Sequence, residues 1–225
     1  MTPDPFGTLT SFGAVVEFGT KKTALDVVGG ADGAVLARLE KAGDVRQRAA
    51  YQLFAGPDLR QDIAHLTPSG ARDSAEAPIG IVNLSGGSRT DADIAPLSGA
   101  RHSYVSHDPT RWAVVQPGLP RLTGTGADRA TKLTFNRVAR FLSEQGLPVP
   151  TPGLVAPMTV RYQAEGCAGF TVTTRMVAKR GRFEVTVADP RVDRRLVLAC
   201  LTAFTALVLW TPRREGISSL SPFRR

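Results

Sequence analysis

Leu196-Val197-Leu198-Ala199-Cys200-Leu201-Thr202-Ala203-Phe204-Thr205-Ala206-Leu207-Val208-Leu209-Trp210 is a run of fifteen residues without a charge, entered through Arg194-Arg195 and closed by Thr211-Pro212-Arg213-Arg214. A helix that is apolar on every side needs apolar surroundings all round, from its own protein or from lipid. At about 1.5 Å per residue the run spans roughly 22 Å, whereas a hydrocarbon core is about 30 Å thick and takes about 20 apolar residues. The run is therefore read as a buried helix around which the rest of the chain folds, with Leu198, Leu201, Phe204, Leu207 and Val208 as its core contacts. Asp189-Pro190 or Asp193 opens it, because an Asp side chain accepts hydrogen bonds from the unpaired first amides and proline at the first helical position loses no donor.

Upstream of this helix the texture is that of strands. Met158 to Tyr162, Gly169 to Thr174 and Arg182 to Val187 alternate apolar with polar residues, the last two joined through a Lys179-Arg180-Gly181 turn. Ala14 to Phe18, Ala24 to Val28 and Ala34 to Leu39 are further β-rich runs, and the Asp32-Gly33 ending of the segment after Val28 marks a hairpin. Ile79 to Leu84 and Arg111 to Gly118 read as strands, the second stopping where Pro117 removes a ladder donor. Ser69 to Ala77 reads as a loop, Leu122 to Gly126 as a turn, and Gly43 to Leu66 is ambiguous. Arg89 to Asp108 reads as a long loop with a weak edge strand. Lys132 to Asn136 reads as a strand leading into a short amphipathic helix over Arg137 to Gln145, and Pro148 to Pro157 as a connector.

Hydrophobic residues at 42% and charged residues at 21% are ordinary globular values, and together with a mean hydropathy of -0.07 they exclude a multi-span membrane protein. The start, Met1 to Gly7, has neither a basic nor an apolar leader region, so a cytoplasmic location, peripheral to the membrane, is expected. Cys167 and Cys200 have no metal spacing, Cys200 reads as core filling, and His65, His102 and His107 fall in polar, turn-like stretches without partners. No metal and no cofactor are expected. The net charge of +8 and pI near 10.2 point to acidic partners, although arginine in excess of lysine reflects compositional bias in part. No nucleic acid is expected, because the basic residues are dispersed and lack aromatic interleaving. With no nucleophile elbow, carboxylate pair or metal triad, the chain reads as a non-enzyme.

Trp112-x-Val114-x-Gln116-Pro117-Gly118, then Arg161-Tyr162, then Gly169-Phe170, then Arg182-Phe183-x-Val185-x-Val187-x-Asp189-Pro190-x-Val192-Asp193-Arg194-Arg195-Leu196 running into an apolar helix resemble the tubby C-terminal-like superfamily. That group includes the LURP-one-related proteins and the phospholipid scramblases, and the likeness extends to bacterial members of unassigned activity. The resemblance implies a mainly β protein, a closed antiparallel barrel of about twelve strands around a central hydrophobic C-terminal α-helix. On that basis residues 1–12 form an arm, 13–211 the barrel with its helix at about 190–211, and 212–225 a basic tail. It also implies a binding or regulatory module for anionic phospholipid headgroups of the phosphoinositide kind, or for an acidic partner. The cationic candidates here are Lys179, Arg180 and Arg182 on the hairpin and Arg213 and Arg214 beyond the helix. Asp189 and Asp193 are interleaved with Arg191, Arg194 and Arg195, which argues against a calcium site. The competing readings are a tail-anchored, scramblase-like membrane protein with the arginine pairs at the two faces, and an uncharacterised enzyme.

Overall fold

The computed structural model describes residues 7–18, 23–29, 33–42, 50–67, 69–84, 112–128, 131, 157–177 and 180–209. The strands are β1 (Ser11–Phe18), β2 (Thr23–Gly29), β3 (Ala34–Ala42), β4 (Ala50–Ala55), β5 (Gln61–Thr67), β6 (Gly70–Asp73), β7 (Pro78–Asn83), β8 (Ala113–Val115), β9 (Leu122–Gly126), β10 (Met158–Ala164), β11 (Cys167–Val177) and β12 (Arg180–Val187), followed by helix α1 (Arg194–Leu209). Each strand pairs antiparallel with its sequence neighbour, and β1 also pairs with β12, Ser11 opposite Thr186 through Glu17 opposite Arg180. The sheet closes on itself, so none of its strands has a free edge.

Alternation decides which side chains face inward. On β1 Ala14 and Val16 are buried, on β2 Leu25 and Val27, on β3 Ala37 and Leu39, on β12 Phe183, Val185 and Val187. The lumen so formed is occupied by α1, whose residues Leu196 to Phe204 are buried on every side, Leu201 completely. Two threonines in this greasy segment are tolerated because each hydroxyl donates to a carbonyl of the preceding turn, Thr202 to Ala199 at 2.8 Å and Thr205 to Leu201 at 2.9 Å.

The helix is off-centre, and side-chain size explains why. It leans on β5, β6 and β7, where the inward positions include Ala64, Ala71 and Gly80. A Cβ at Gly80 would lie 2.6 Å from Leu196 Cδ2, so only glycine lets the first turn of α1 approach this wall. Away from this wall Tyr162 and Phe170 supply bulk, stacking with centroids 4.7 Å apart, and next to it Trp112 meets Phe204 edge to face at 5.4 Å. Leu196 lies beside Gly80 near the start of β7 and Phe204 beside Trp112 just ahead of β8. The helix therefore runs from one end of the barrel, the entry end, to the other, the exit end.

Several stretches differ from their sequence reading. Ser69 to Ala77, read as a loop, contains β6; Leu122 to Gly126, read as a turn, is β9; and the ambiguous stretch holds β4 and β5, so His65 lies in a strand. Arg180 and Gly181, read as part of a turn, are strand residues opposite Val177 and Met176. Ser11 and Phe12 already belong to β1. The expectations for 89–108, for 132–145 and for most of 148–157 lie outside the described residues.

Candidate functional site

The entry end is sealed by a tandem of two Asp-x-Arg turns. The Asp189 carboxylate accepts the Arg191 backbone amide at 3.0 Å and is forked by the same guanidinium at 3.0 and 2.7 Å. Four residues on, Asp193 caps α1 by accepting the Arg195 amide at 2.8 Å, and takes the Arg195 guanidinium at 3.1 and 2.7 Å. Gln116 ties the tandem to the β8–β9 turn: its amide nitrogen donates to Arg191 O at 2.8 Å and its oxygen accepts the Asp193 amide at 2.8 Å. Arg194, between them, turns inward and is buried, with Nε donating to Leu9 O at 3.0 Å and Nη1 donating to Pro190 O at 2.8 Å and to Val192 O. The arginines that weaken a calcium reading thus have their own work as counter-ions and corks.

Hydrogen bonds from the Arg191 guanidinium, from the Cys167 thiol and from the Arg191 amide hold the Asp189 carboxyl far below the usual carboxylate range. A carboxyl lowered on folding stabilises the fold above its unfolded pKa of about 4 and loses that contribution as the pH falls below it. Asp189→Asn is accordingly expected to lower the denaturation midpoint at neutral pH, with the gap from wild type narrowing below about pH 4 and much smaller at about pH 2, since it closes fully only as the pH falls through the folded value. Denaturant titrations at the two pH values check this, and a gap that is the same at both would contradict it.

Neither cysteine is poised for chemistry. Burial, and then the hydrogen bond to Asp189, raise the Cys167 thiol, and burial pushes Cys200 up to about 12 beside the Tyr162 hydroxyl at 3.4 Å. A nucleophilic cysteine needs the thiolate, and both thiols are free, buried and protonated at neutral pH. Among the described residues, an open cleft of about 700 Å³ lies on the outside of the entry end, lined by Thr123, Thr125, Gln163, Glu165 and Gly166 among others. Among the described residues no group of three or more His, Cys, Asp or Glu side chains could hold a metal ion.

Of the cationic candidates, Arg182 stands on the outer wall with 64% of its side chain exposed, its Nε 3.9 Å from Glu184. Register adds a residue that the sequence reading missed: Arg175 of β11 lies directly opposite Arg182, also exposed. Like charges directly opposite on neighbouring strands are unfavourable, and an anion bridging them removes the penalty. Arg180 is placed by its backbone in β12, while Lys179, Arg213 and Arg214 lie outside the described residues. Leu198, Leu201 and Phe204 are buried in the barrel core; Leu207 and Val208 are in α1, with their side chains outside the described part.

No protein-family model, curated protein or solved structure matches this chain. The described residues offer an outer surface, one end closed by paired charges and, on the wall near the other, two arginines directly opposite each other. Among the described residues no helix is long and apolar enough to cross a membrane.

Proposed function

We propose that the chain is a non-enzymatic binding module that docks on anionic phospholipid headgroups through the exit end of the barrel and the adjoining Arg175–Arg182 wall, in keeping with the resemblance to the tubby C-terminal-like superfamily. One feature carries the reading, an asymmetry of charge in the sequence between the described strands. The stretches that link strand ends at the exit end (19–22, 43–49, 68–69, 84–112, 127–157, 178–179), together with residues 210–225 after α1, carry sixteen Lys and Arg against seven Asp and Glu. The segments at the entry end (30–33, 56–60, 74–77, 116–121, 165–166, 188–193) carry three against six. A field of one sign at one end orients a molecule toward an anionic surface and raises its rate of encounter.

Co-sedimentation with vesicles of phosphatidylcholine, with and without phosphatidylserine, tests this. Pelleting with the anionic vesicles alone, lost on adding salt, is expected. Each cation near an anionic surface contributes about 1 kcal/mol, so the double variant Arg175→Glu, Arg182→Glu should partition at least about tenfold more weakly. Equal pelleting with neutral vesicles, or none with either, overturns the reading.

A further inference from the structure

His65, expected from sequence in a polar, turn-like stretch without partners, has two partners in the fold. It lies on β5 with both ring nitrogens on carboxylates: Nε2 is 3.1 Å from Asp62 Oδ2, three residues back on the same strand, and Nδ1 contacts Glu76 Oε1. Glu76 belongs to the turn between β6 and β7, so the imidazole bridges two segments eleven residues apart. The turn is conformationally demanding, because Glu76 sits at φ 64°, in the left-handed region that side chains seldom adopt. Asp73 supports it by accepting the Ala75 and Ala77 amides at 2.9 Å each, and Arg72 donates from Nη1 to Glu76 O at 3.2 Å.

We propose that His65 is a pH-sensitive clamp, locking the β6–β7 turn onto β5 when its ring is doubly protonated and releasing the turn when the ring is neutral. A neutral imidazole has one N–H and one lone pair, whereas two carboxylate acceptors demand two N–H donors, so only the imidazolium satisfies both contacts. The charged groups facing the ring are Asp62 on its own strand, Glu76 in the turn, and Arg72, opposite it on β6; Asp73 lies beyond, spent on the turn amides; on β4 the opposite residue is the neutral Gln52. Two carboxylates against one guanidinium, itself directed at a backbone carbonyl, leave the balance with the cationic ring. Burial alone would lower the His65 pKa, but the hydrogen bonds to Glu76 and Asp62 and the charges of those carboxylates outweigh it and raise the pKa above that of a free imidazole.

The sign follows. A histidine raised on folding contributes stability that is complete below its unfolded pKa of about 6.5 and is lost as the pH rises through the folded value. The clamp matters beyond the turn because β6 is four residues long, carries a register irregularity between Ala71 and Arg72, and is one of the three strands on which α1 leans. Raising the pH therefore loosens the wall that supports the helix while the rest of the barrel keeps its long ladders.

Proton NMR of the intact chain tests this, following the His65 ring and, by hydrogen exchange, the protection factors of the Ala77 and Asp73 amides, which hydrogen-bond across the turn. His65 should titrate above a free imidazole, with protection of the two amides falling through the same midpoint. Glu76→Gln should move the midpoint down, and His65→Gln should remove the pH dependence of protection while the barrel stays folded. Titration at or below the ordinary value, or protection unchanged across it, overturns the proposal. Neither outcome bears on vesicle binding, which is measured separately.

Discussion

Leu201→Asp is expected to yield no soluble folded protein, whereas Leu201→Met should fold and melt within a few degrees of wild type. Leu201 lies at the middle of α1 and is fully buried in the lumen of a closed barrel. Losing a buried leucine removes about 1.5–3 kcal/mol of burial, and an unpaired carboxylate in that place costs several kcal/mol more, whether it stays ionised or takes up a proton. A domain of this kind has roughly 5–15 kcal/mol in total, so the one substitution consumes most of it. A closed sheet makes relief harder, because the aspartate cannot reach water unless strands part or α1 leaves the lumen. Methionine keeps the volume and the apolar surface and should cost less than about 1.5 kcal/mol. Soluble yield and circular-dichroism melts of the two variants side by side decide the matter. A folded, soluble Leu201→Asp protein would mean that α1 is held against something other than the barrel interior.

The two halves of the chain differed in legibility for physical reasons. β10, β12 and β11 from Phe170 onward alternate cleanly, so their period of two is plain, and an apolar run longer than most core helices and shorter than a bilayer has few places to go. β6 is hidden because Gly70, Ala71 and Asp73 have low strand preference, and it is a strand because β5 and β7 offer partners on both sides. β5 is hidden by a register irregularity: between β4 and β5 the pairing slips at Leu53 and Phe54, and Ile63 and Ala64 are both buried, which breaks the alternation ahead of His65. β9, Leu122-Thr123-Gly124-Thr125-Gly126, looks like a turn through its glycines, yet Leu122 and Gly124 face in while the threonines face out. The Arg175–Arg182 opposition was one step from visible. Pairing Val177 with Arg180, rather than turning over Lys179 to Gly181, sets Arg175 against Arg182. The Asp-x-Arg tandem could be seen in the sequence as alternating charge, but its pairing partners could not, since Gln116 and Leu9 reach it only in the closed barrel.

Gly169→Ala should be nearly as damaging as a charge in the core, and Gly166→Ala, three residues away, should be mild. Both glycines have positive φ, 71° at Gly166 and 63° at Gly169, so alanine at either position bears the left-handed penalty of about 1–2 kcal/mol. They differ in what a side chain would meet. A Cβ at Gly166 has nothing within 4 Å, while one at Gly169 would fall 1.9 Å from Tyr162 O and 2.9 Å from Tyr162 C, backbone atoms of the neighbouring strand that cannot rotate away. Relief would require prising β10 from β11 at the point where the pairing already shifts between Tyr162 and Ala164. The damage would spread, because Gly169 O also accepts the Ala188 and Asp189 amides and so holds the Asp189 carboxylate in place over the entry end. Gly169→Ala is thus expected to lose more than about 4 kcal/mol, the range reserved for a clash that the fold cannot absorb. Equilibrium unfolding of the two variants reads the difference directly. If both lose the same modest amount, the close approach of β10 and β11 at Tyr162 is not a feature of the folded protein in solution, and the seal built on Asp189 has no fixed anchor.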